Sequence, residues 1–254
     1  MSSAPILTLD NVTVRFSDNP DIPAALQDLT LDIREGEILV AVGPSGCGKT
    51  TVLNLAAGLM RPTEGQVTFD GKPVVRTDPK RGVVFQQYAL FPWMTVRENV
   101  EYGLKLKKVP KAQRREISTK YLELVGLGHA TDKLPKQLSG GMKQRTAIAR
   151  AYAVDPSVLL MDEPFGALDA QTRLGLQNEL LRTWESTRKS ILFITHDIDE
   201  ALLLGHRVAV LAAYPGRLNK IIEIPRDHPR GEDWAQSEEY RELRAELFDL
   251  IYHS

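Results

Sequence analysis

One stretch of the chain has the residue types and the spacing of a loop that binds phosphate. Residues 43 to 50 read Gly-Pro-Ser-Gly-Cys-Gly-Lys-Thr and match the pattern G-x-x-x-x-G-K-[ST] without a gap. Glycines let the backbone curl so that successive N–H groups face phosphate oxygens, and Lys49 adds a positive charge at the β- and γ-phosphates. The Thr50 hydroxyl is predicted to hold a magnesium ion. The candidate nucleotide site comprises Gly43, Pro44, Ser45, Gly46, Cys47, Gly48, Lys49, Thr50 and Thr51.

The flanking sequence favours a ligand site over an ordinary glycine-rich turn. An apolar run ends at Val42 and a helical pattern covers Thr51 to Leu59, which is the strand-loop-helix context that the motif requires. Cys47 is the only cysteine, so no internal disulfide is expected. Positive backbone dipoles around it predict a lowered thiol pKa and a reactive group that ATP protects, whereas its simpler role is that of a small loop residue.

Two carboxylates follow a buried-strand pattern farther along the chain. Val158 to Met161 is apolar, and Asp162 and Glu163 come directly after it. Ligands gather at the carboxyl ends of strands in open parallel sheets. Asp162 is therefore predicted to help hold magnesium, and Glu163 to polarise the water that attacks the γ-phosphate. The alternative is a solvated turn or a helix cap.

One histidine has a comparable position. His196 follows the apolar run Ile191 to Ile194, so its imidazole is predicted to reach the γ-phosphate region as a catalytic group. The other histidines are predicted to be structural: His129, His206, His228 and His253.

These candidate residues need a sheet that brings several strand ends to one edge. Apolar runs of strand length occur at Ile38 to Val42, Val83 to Phe85, Val158 to Met161, Ile191 to Ile194 and Val208 to Leu211. Helical patterns between several of these runs indicate an α/β core. Alternation of apolar and polar residues predicts antiparallel strands at Ile6 to Arg15, Ala25 to Ile33 and Gly65 to Gly71.

Helical spacing replaces the strand signal between Thr95 and Val154, most clearly in Lys111 to Val125 and Met142 to Val154. The predicted fold class is α/β, a P-loop NTPase core with a largely parallel sheet, an antiparallel β-subdomain and a helical insertion subdomain. We expect one nucleotide-binding domain over residues 6–240, with its core at about 1–87 and 156–224 and its helical subdomain at about 88–155. Residues 225–254, which include one amphipathic stretch, are expected to form a short helical tail.

The bulk composition excludes several classes of protein. The formal net charge of -1 and the pI near 6.5 argue against a surface adapted as a whole to nucleic acid or anionic lipid. The apolar runs are much shorter than the roughly 20 residues of a membrane-spanning helix. The N-terminus lacks the pattern of a secretory signal, so a cytoplasmic location is expected.

A second motif makes a family resemblance visible. Residues 138 to 145, Leu-Ser-Gly-Gly-Met-Lys-Gln-Arg, precede a helical pattern and resemble the signature motif of ATP-binding-cassette (ABC) ATPases. The resemblance covers nearly the whole chain in family order: Phe16, the phosphate loop, Gln86, the signature, Asp162-Glu163, Ala167-Leu168-Asp169 and His196. It implies an ATPase with ATP and Mg2+ as cofactors.

The resemblance also implies a role for the signature. Ser139 can cap a helix whose first N–H groups form a second anion site, which one chain cannot easily use on the same nucleotide. In the family, two cassettes pack head to tail, so Ser139, Gly140 and Gly141 of one copy meet the γ-phosphate bound to the other copy's Lys49. The expected partner is therefore a second copy of the chain in an ATP-dependent homodimer.

Three further roles follow from the resemblance. Phe16 is expected to stack on adenine, with a strand-core role as its alternative. Gln86 is expected to contact magnesium and the attacking water. Asp169 is expected to lie at the dimer interface.

The chain is similar to the nitrate, sulfonate and taurine importer branch of the family, through Met142 in the signature and through Tyr214-Pro215-Gly216-Arg217. A cassette without fused spans implies separate permease subunits, a solute-binding protein as an indirect partner, and a peripheral place on the cytoplasmic face of the inner membrane. The aromatic run Tyr88 to Met94 is the expected permease contact, with Phe91 or Trp93 nearest to it. Taurine or another alkanesulfonate is the first expected solute, and nitrate or a thiamine-precursor pyrimidine is the alternative.

Other functions have less support. A cassette acting on DNA or ribosomes normally shows a long coiled-coil insertion or two cassettes in tandem, and no nucleic-acid partner is expected here. A P-loop kinase or GTPase would not need residues 138–145. A catalytically dead cassette is opposed by Lys49, Glu163 and His196.

Overall fold

The computed structural model describes residues 4–19, 21–166 and 168–253, and at Glu232 the backbone alone. Ala167, the first residue of the predicted motif Ala167-Leu168-Asp169, lies outside the described residues. The strands are β1 (Pro5–Val14), β2 (Leu26–Arg34), β3 (Ile38–Val42), β4 (Glu64–Phe69), β5 (Lys72–Pro73), β6 (Arg81–Val84), β7 (Val158–Asp162), β8 (Ser190–Ile194), β9 (Arg207–Ala212) and β10 (Arg217–Glu223). The helices are α1 (Lys49–Ala57), α2 (Val96–Leu106), α3 (Lys111–Leu124), α4 (Gly140–Ala153), α5 (Ala170–Thr187), α6 (Ile198–Leu204), α7 (Glu232–Ala235) and α8 (Glu238–Tyr252).

The elements fall into two compact units. The first unit comprises residues 1–78 and 188–254, and the second comprises residues 79–187. Within the part of the chain that the structure describes, no helix is both long enough and apolar enough to span a membrane.

The first unit contains strands of two kinds. One sheet is antiparallel, in the order β2-β1-β4-β5, while β10-β9-β3-β8 are neighbours in a sheet in which β3 runs parallel to β8 and β9. Every residue of β3 and β8 is buried, which explains their continuous apolar sequences. Because β3 and β8 are parallel, the segments that follow Val42 and Ile194 leave the sheet at the same edge.

The C-terminal segment of the first unit holds both ends of α6. Arg230 is 7% exposed, and its Nη1 donates to the carbonyl oxygens of Leu202 at 2.6 Å and Gly205 at 2.7 Å. These bonds satisfy carbonyl groups that the end of a helix leaves without intrahelical partners. Near the start of α6, the Asp199 carboxylate accepts a hydrogen bond of 2.7 Å from the Tyr240 hydroxyl.

In its described residues, 79–166 and 168–187, the second unit combines two parallel strands with four α-helices. β6 pairs with β7 in parallel register, with Val84 opposite Met161. α2 begins at a capping box in which the Thr95 hydroxyl accepts from the Glu98 N–H at 3.2 Å and the Glu98 carboxylate accepts from the Thr95 N–H at 2.8 Å.

The predicted α/β fold class is confirmed, and the differences lie at element boundaries and edges. The strand expected at Val83 to Phe85 is shifted, because β6 covers Arg81–Val84 and Phe85 is 38% exposed. β10 was not predicted, because only one of its seven residues is buried and its sequence carries little apolar signal.

Candidate functional site: a phosphate loop, an acidic strand end and a serine-capped helix

The loop after β3 has the backbone of a phosphate cradle. Gly48 is the N-cap of α1 with φ 92°, and a Cβ atom there would lie 2.5 Å from Leu26 Cδ2. At Gly43 a Cβ atom would collide with the Leu211 carbonyl oxygen and approach Cys47 Sγ to 2.7 Å. Only glycine fits such positions. The close packing therefore explains the motif glycines, and the N-terminus of α1 supplies N–H groups and a positive dipole end for an anion.

The Lys49 side chain lies back over this loop. Its Nζ donates to the carbonyl oxygens of Gly43 at 2.7 Å and Pro44 at 3.1 Å, and the residue is 8% exposed. Phosphate oxygens are stronger acceptors for an ammonium group than neutral carbonyls are. Lys49 is therefore already placed at the loop as a positive charge for a nucleotide.

The structure corrects one of the two expectations for Cys47, that of a lowered thiol pKa. The residue is fully buried, and burial raises the pKa of its thiol above the ordinary value, although the nearby positive charge of Lys49 acts in the opposite direction. The sequence argument considered the dipoles of the loop but not the removal of the thiol from water, which is the larger effect. The structure therefore favours the role of a small loop residue.

Two other predicted residues of the first unit are exposed. Phe16 lies two residues beyond β1 and is 69% exposed, so the alternative of a strand-core role is wrong and its ring is available for stacking. His196 lies two residues beyond β8, between that strand and the Asp197 side chain that caps α6. Since β8 pairs with β3, His196 and the phosphate loop follow neighbouring parallel strands.

The second unit brings Gln86 and Glu163 together. Gln86 follows β6, Glu163 follows β7, and the Gln86 amide Nε2 donates to Glu163 Oε2 at 3.4 Å. Asp162 is the last residue of β7. Glu163 adopts φ 41°, a backbone conformation that is uncommon outside glycine and is often found at functional sites. The two adjacent carboxylates thus leave the strand with different backbone conformations.

The signature motif forms a helix tip. Ser139 is the N-cap of α4, and its Oγ accepts a hydrogen bond of 3.3 Å from the Met142 N–H, which confirms the predicted cap. At Gly141 a Cβ atom would approach Thr172 Cγ2 to 2.8 Å. The glycine thus allows α4 to begin close to the first turn of α5.

Asp169 lies just before that turn. Its Oδ1 accepts a hydrogen bond of 3.0 Å from the Thr172 N–H, and hydrogen bonds from Thr172 hold the pKa of the Asp169 carboxyl below its usual range. The exposed carboxylate is therefore charged at neutral pH and lies in the same unit as Ser139 and Gly141.

Magnesium is compatible with these residues, although no ready-made protein cage for a metal exists in residues 4–19, 21–166 and 168–253. Magnesium in ATPases is commonly held by one or two protein ligands, substrate phosphates and water. A hydroxyl such as that of Thr50, in the first unit, and a carboxylate such as that of Asp162, in the second, are each donors of the kind that such sites use.

The structure also shows an interaction that the sequence did not reveal. Arg150, near the end of α4, donates to the main-chain carbonyl oxygens of Tyr88 and Ala89, which follow Gln86. An arginine in the last turn of a helix ordinarily reads as a favourable charge for the helix dipole, so the sequence carries no signal for this contact.

Comparison with known proteins decides the family. The profile of the ABC transporter family matches residues 26–166. The chain belongs to the ABC transporter family. The match begins with β2 and ends shortly after Glu163, so it includes the phosphate loop, Gln86, the signature and the acidic pair.

Similarity to individual ABC proteins extends over most of the chain. An uncharacterized ABC transporter ATP-binding protein of Methanocaldococcus jannaschii is 51% identical over 245 residues, 96% of this chain and 91% of that protein. The taurine import ATP-binding protein of Roseobacter denitrificans is 49% identical over 220 residues (86% and 82%), and the nitrate import ATP-binding protein of Synechococcus elongatus is 47% identical over 232 residues (90% and 85%). The taurine and nitrate import proteins confirm the resemblance to the nitrate, sulfonate and taurine importer branch.

Two solved structures of one bacterial ABC transporter cassette show the same fold. One is dimeric and the other is a dimeric post-hydrolysis state bound to ADP and Pi, with TM-scores of 0.78 and 0.77; both are 35% identical to this chain and cover 87% of it and 100% of the solved chain. The chain described here is therefore an ATP-binding ATPase with the predicted α/β fold. The roles of individual site residues remain predictions.

Proposed function

We propose that this chain is the ATP-hydrolysing subunit of an ABC importer and that its solute is taurine or another alkanesulfonate. The observation that carries the proposal is identity over nearly the full chain to proteins named for solute import. Besides the Roseobacter protein, the taurine import ATP-binding protein of Ruegeria pomeroyi is 44% identical over 251 residues, 97% of this chain and 94% of that protein. Nitrate import is the second candidate, favoured by the 47% identity to the Synechococcus protein.

We propose the following chemistry for the site. Lys49 and the loop N–H groups bind the β- and γ-phosphates, and Phe16 stacks on adenine. Thr50, Asp162 and Gln86 would hold magnesium. The ion offsets negative charge on the phosphates when it is bound. Glu163 accepts a proton from the attacking water, and Gln86 orients the water and the Glu163 carboxylate. His196 donates a hydrogen bond to the γ-phosphate.

We also propose an ATP-dependent homodimer. The tip of α4 in one copy, with Ser139, Gly140 and Gly141, contacts the γ-phosphate bound to Lys49 of the other copy, and Asp169 lies at the interface. A ligand that binds the dimer better than the monomer stabilises the dimer by mass action, and hydrolysis removes that stabilisation. The partners beyond the dimer are permease subunits at the cytoplasmic face of the inner membrane and, indirectly, a solute-binding protein.

The exposed ring of Trp93 supports a permease contact in the second unit. Trp93 is 72% exposed, and its ring centroid lies 5.8 Å from that of Phe91, which in turn lies 4.5 Å from the ring of Tyr102. An exposed aromatic residue backed by packed rings suits the groove that receives a short helix.

Reconstitution in liposomes tests the proposed function. The chain is assembled with its permease subunits, and ATP hydrolysis is measured with candidate binding proteins loaded with taurine, another alkanesulfonate or nitrate. We expect an alkanesulfonate-loaded binding protein to raise the turnover about tenfold or more, and Lys49→Ala to abolish it. Stimulation by nitrate alone would replace the proposed solute. Stimulation by DNA or ribosomes, with none by any solute, would contradict the importer.

A further inference from the structure

The segment after Gln86 has an unusual backbone. Tyr88 and Ala89 have φ values of 57° and 47°, in the left-handed region that residues with a Cβ atom rarely adopt. Such a conformation is unfavourable for a residue with a Cβ atom unless its surroundings hold it in place. Two in succession therefore require a specific stabilising contact.

Arg150 of α4 supplies that contact. Its Nη1 donates to the Ala89 carbonyl oxygen at 2.6 Å and its Nη2 donates to the Tyr88 carbonyl oxygen at 3.0 Å. The guanidinium carbon also lies 5.9 Å from the centre of the Phe91 ring, within the range of a cation–π interaction. One planar group thus fixes the segment through two charge-assisted hydrogen bonds and one ring contact.

Tyr88 approaches the other end of the same helix. A Cβ atom at Gly140 would lie 3.3 Å from the Tyr88 hydroxyl oxygen, so this phenol lies beside the first turn of α4. α4 therefore contacts this segment near its tip, next to Ser139, and through Arg150 in its last turn.

Asn99 of α2 fixes the continuation of the segment. This residue is fully buried, its Oδ1 accepts from the Phe91 N–H at 2.9 Å, and its Nδ2 donates to the carbonyl oxygens of Phe91 and Met94 at 3.2 and 3.0 Å. Trp93 lies between these two anchored residues. Residues 86–94 are thus held at both ends, by α4 next to Gln86 and by α2 around Trp93.

We propose that Arg150 is a positioning residue for Gln86, tying residues 86–94 to the signature helix so that Gln86, the tip of α4 and Trp93 move together. The inference rests on the proposed role of Gln86 in hydrolysis. It assigns to Arg150 a coupling function within the second unit, without contact with the nucleotide. Replacement of Arg150 releases two carbonyl groups and lets Tyr88 and Ala89 relax, so Gln86 is no longer held opposite Glu163.

Kinetics of the isolated chain test the proposal without a permease or solute. We expect Arg150→Ala to lower kcat about tenfold or more while KM for ATP changes less than about threefold, because the residue acts on the catalytic step. Arg150→Lys keeps the positive charge but cannot form the bidentate pair of hydrogen bonds, so we expect a kcat between those of the parent and Arg150→Ala. The control is Lys107→Met, since Lys107 Nζ donates to the Val154 carbonyl oxygen at 2.6 Å at the end of α4 and does not contact residues 86–94 through any bond described.

Tryptophan fluorescence gives a readout that a loss of general stability would not reproduce. Trp184 and Trp234 are 3% and 1% exposed, so acrylamide quenching reports chiefly on Trp93. In a Glu163→Gln background, we expect ATP to change the quenching of Trp93, and Arg150→Lys to remove most of that change without loss of ATP binding. The quenching change should be absent in Trp93→Phe, which would show that the fluorescence signal comes from Trp93.

Two outcomes would overturn the proposal. One is a kcat for Arg150→Ala within about twofold of the parent, as expected for the Lys107 control. The other is an ATP-induced quenching change that is absent in the parent or unaltered in Arg150→Lys. If Arg150→Ala does not fold, the kcat and the ATP-induced quenching change of Arg150→Lys test the proposal instead. Because wild-type turnover is measured in the same series, failure of this inference is distinct from failure of the importer proposal.

Discussion

The Gln86 side-chain amide donates a hydrogen bond to the Glu163 carboxylate over 3.4 Å. The two residues follow β6 and β7, whose parallel pairing brings their carboxyl ends to the same edge. A carboxylate that is to accept a proton from water needs a fixed orientation, and the amide provides one.

We therefore expect Gln86→Ala to lower kcat about tenfold while KM for ATP changes less than about threefold, because the substitution removes an interaction used in the transition state. Steady-state ATP hydrolysis measures both constants. Gln87→Ala is the matched control, since Gln87 is an exposed glutamine at the next position. Equal kcat values for the two variants would show that Gln86 does not act in hydrolysis.

The buried thiol of Cys47 leads to a second prediction. Since burial raises its pKa, the native chain should react with iodoacetamide at least about tenfold more slowly at pH 8 than the chain in denaturant. Mass spectrometry of the labelled chain measures both rates. Rapid labelling of the native chain at this pH would contradict the buried position and restore the reactive thiol expected from the loop dipoles.

Two half-buried histidines of the first unit lead to a third prediction. The rings of His206 and His228 lie 4.7 Å apart, and burial, followed by the positive charge of Arg230, lowers the pKa of His206 to about 4 and that of His228 to about 3. The unfolded chain binds protons at these groups near pH 6.5, whereas the folded chain does not. The contribution of these two groups to the free energy of unfolding is therefore fully present above pH 6.5. It is lost as the pH falls towards 4 for His206 and 3 for His228.

The size of this loss can be measured by urea unfolding between pH 7 and pH 5. Each histidine contributes at most about 1.4 kcal/mol per pH unit, and less where solvent reaches the half-buried rings. We expect His228→Leu to reduce the slope of unfolding free energy against pH. A slope equal to that of the parent would show that His228 is protonated in the folded chain. His129→Leu is the control, because His129 is exposed and lies in the second unit.

Much of this site could be predicted from local patterns in the sequence. The phosphate loop was predictable because its glycines, Lys49 and Thr50 lie within eight residues and are flanked by a buried strand and a helix. The Ser139 cap was predictable for the same reason, since a cap depends only on the residue before a helix and on that helix's first turn.

Contacts between residues that are far apart in the chain could not be predicted from the sequence. Gln86 and Glu163 are 77 positions apart, and Arg150 and Tyr88 are 62 positions apart, so both contacts depend on strand pairing and helix packing. The pKa of Cys47 was misjudged because the dipoles of the loop are a local feature, whereas burial depends on the complete fold. β10 was missed because a half-exposed edge strand has little apolar periodicity.

The central claim is that ATP joins two copies of this cassette through the phosphate loop of one and the serine-capped helix of the other. Light scattering of Glu163→Gln in MgATP tests it most directly, because a chain that binds ATP without hydrolysing it should accumulate as the dimer. We predict a mass of about twice the 28.4 kDa of the chain with ATP, the monomer mass without ATP, and the monomer mass in both conditions when Ser139→Arg is added. A Glu163→Gln chain that is saturated with ATP and still has the mass of one copy would contradict the account.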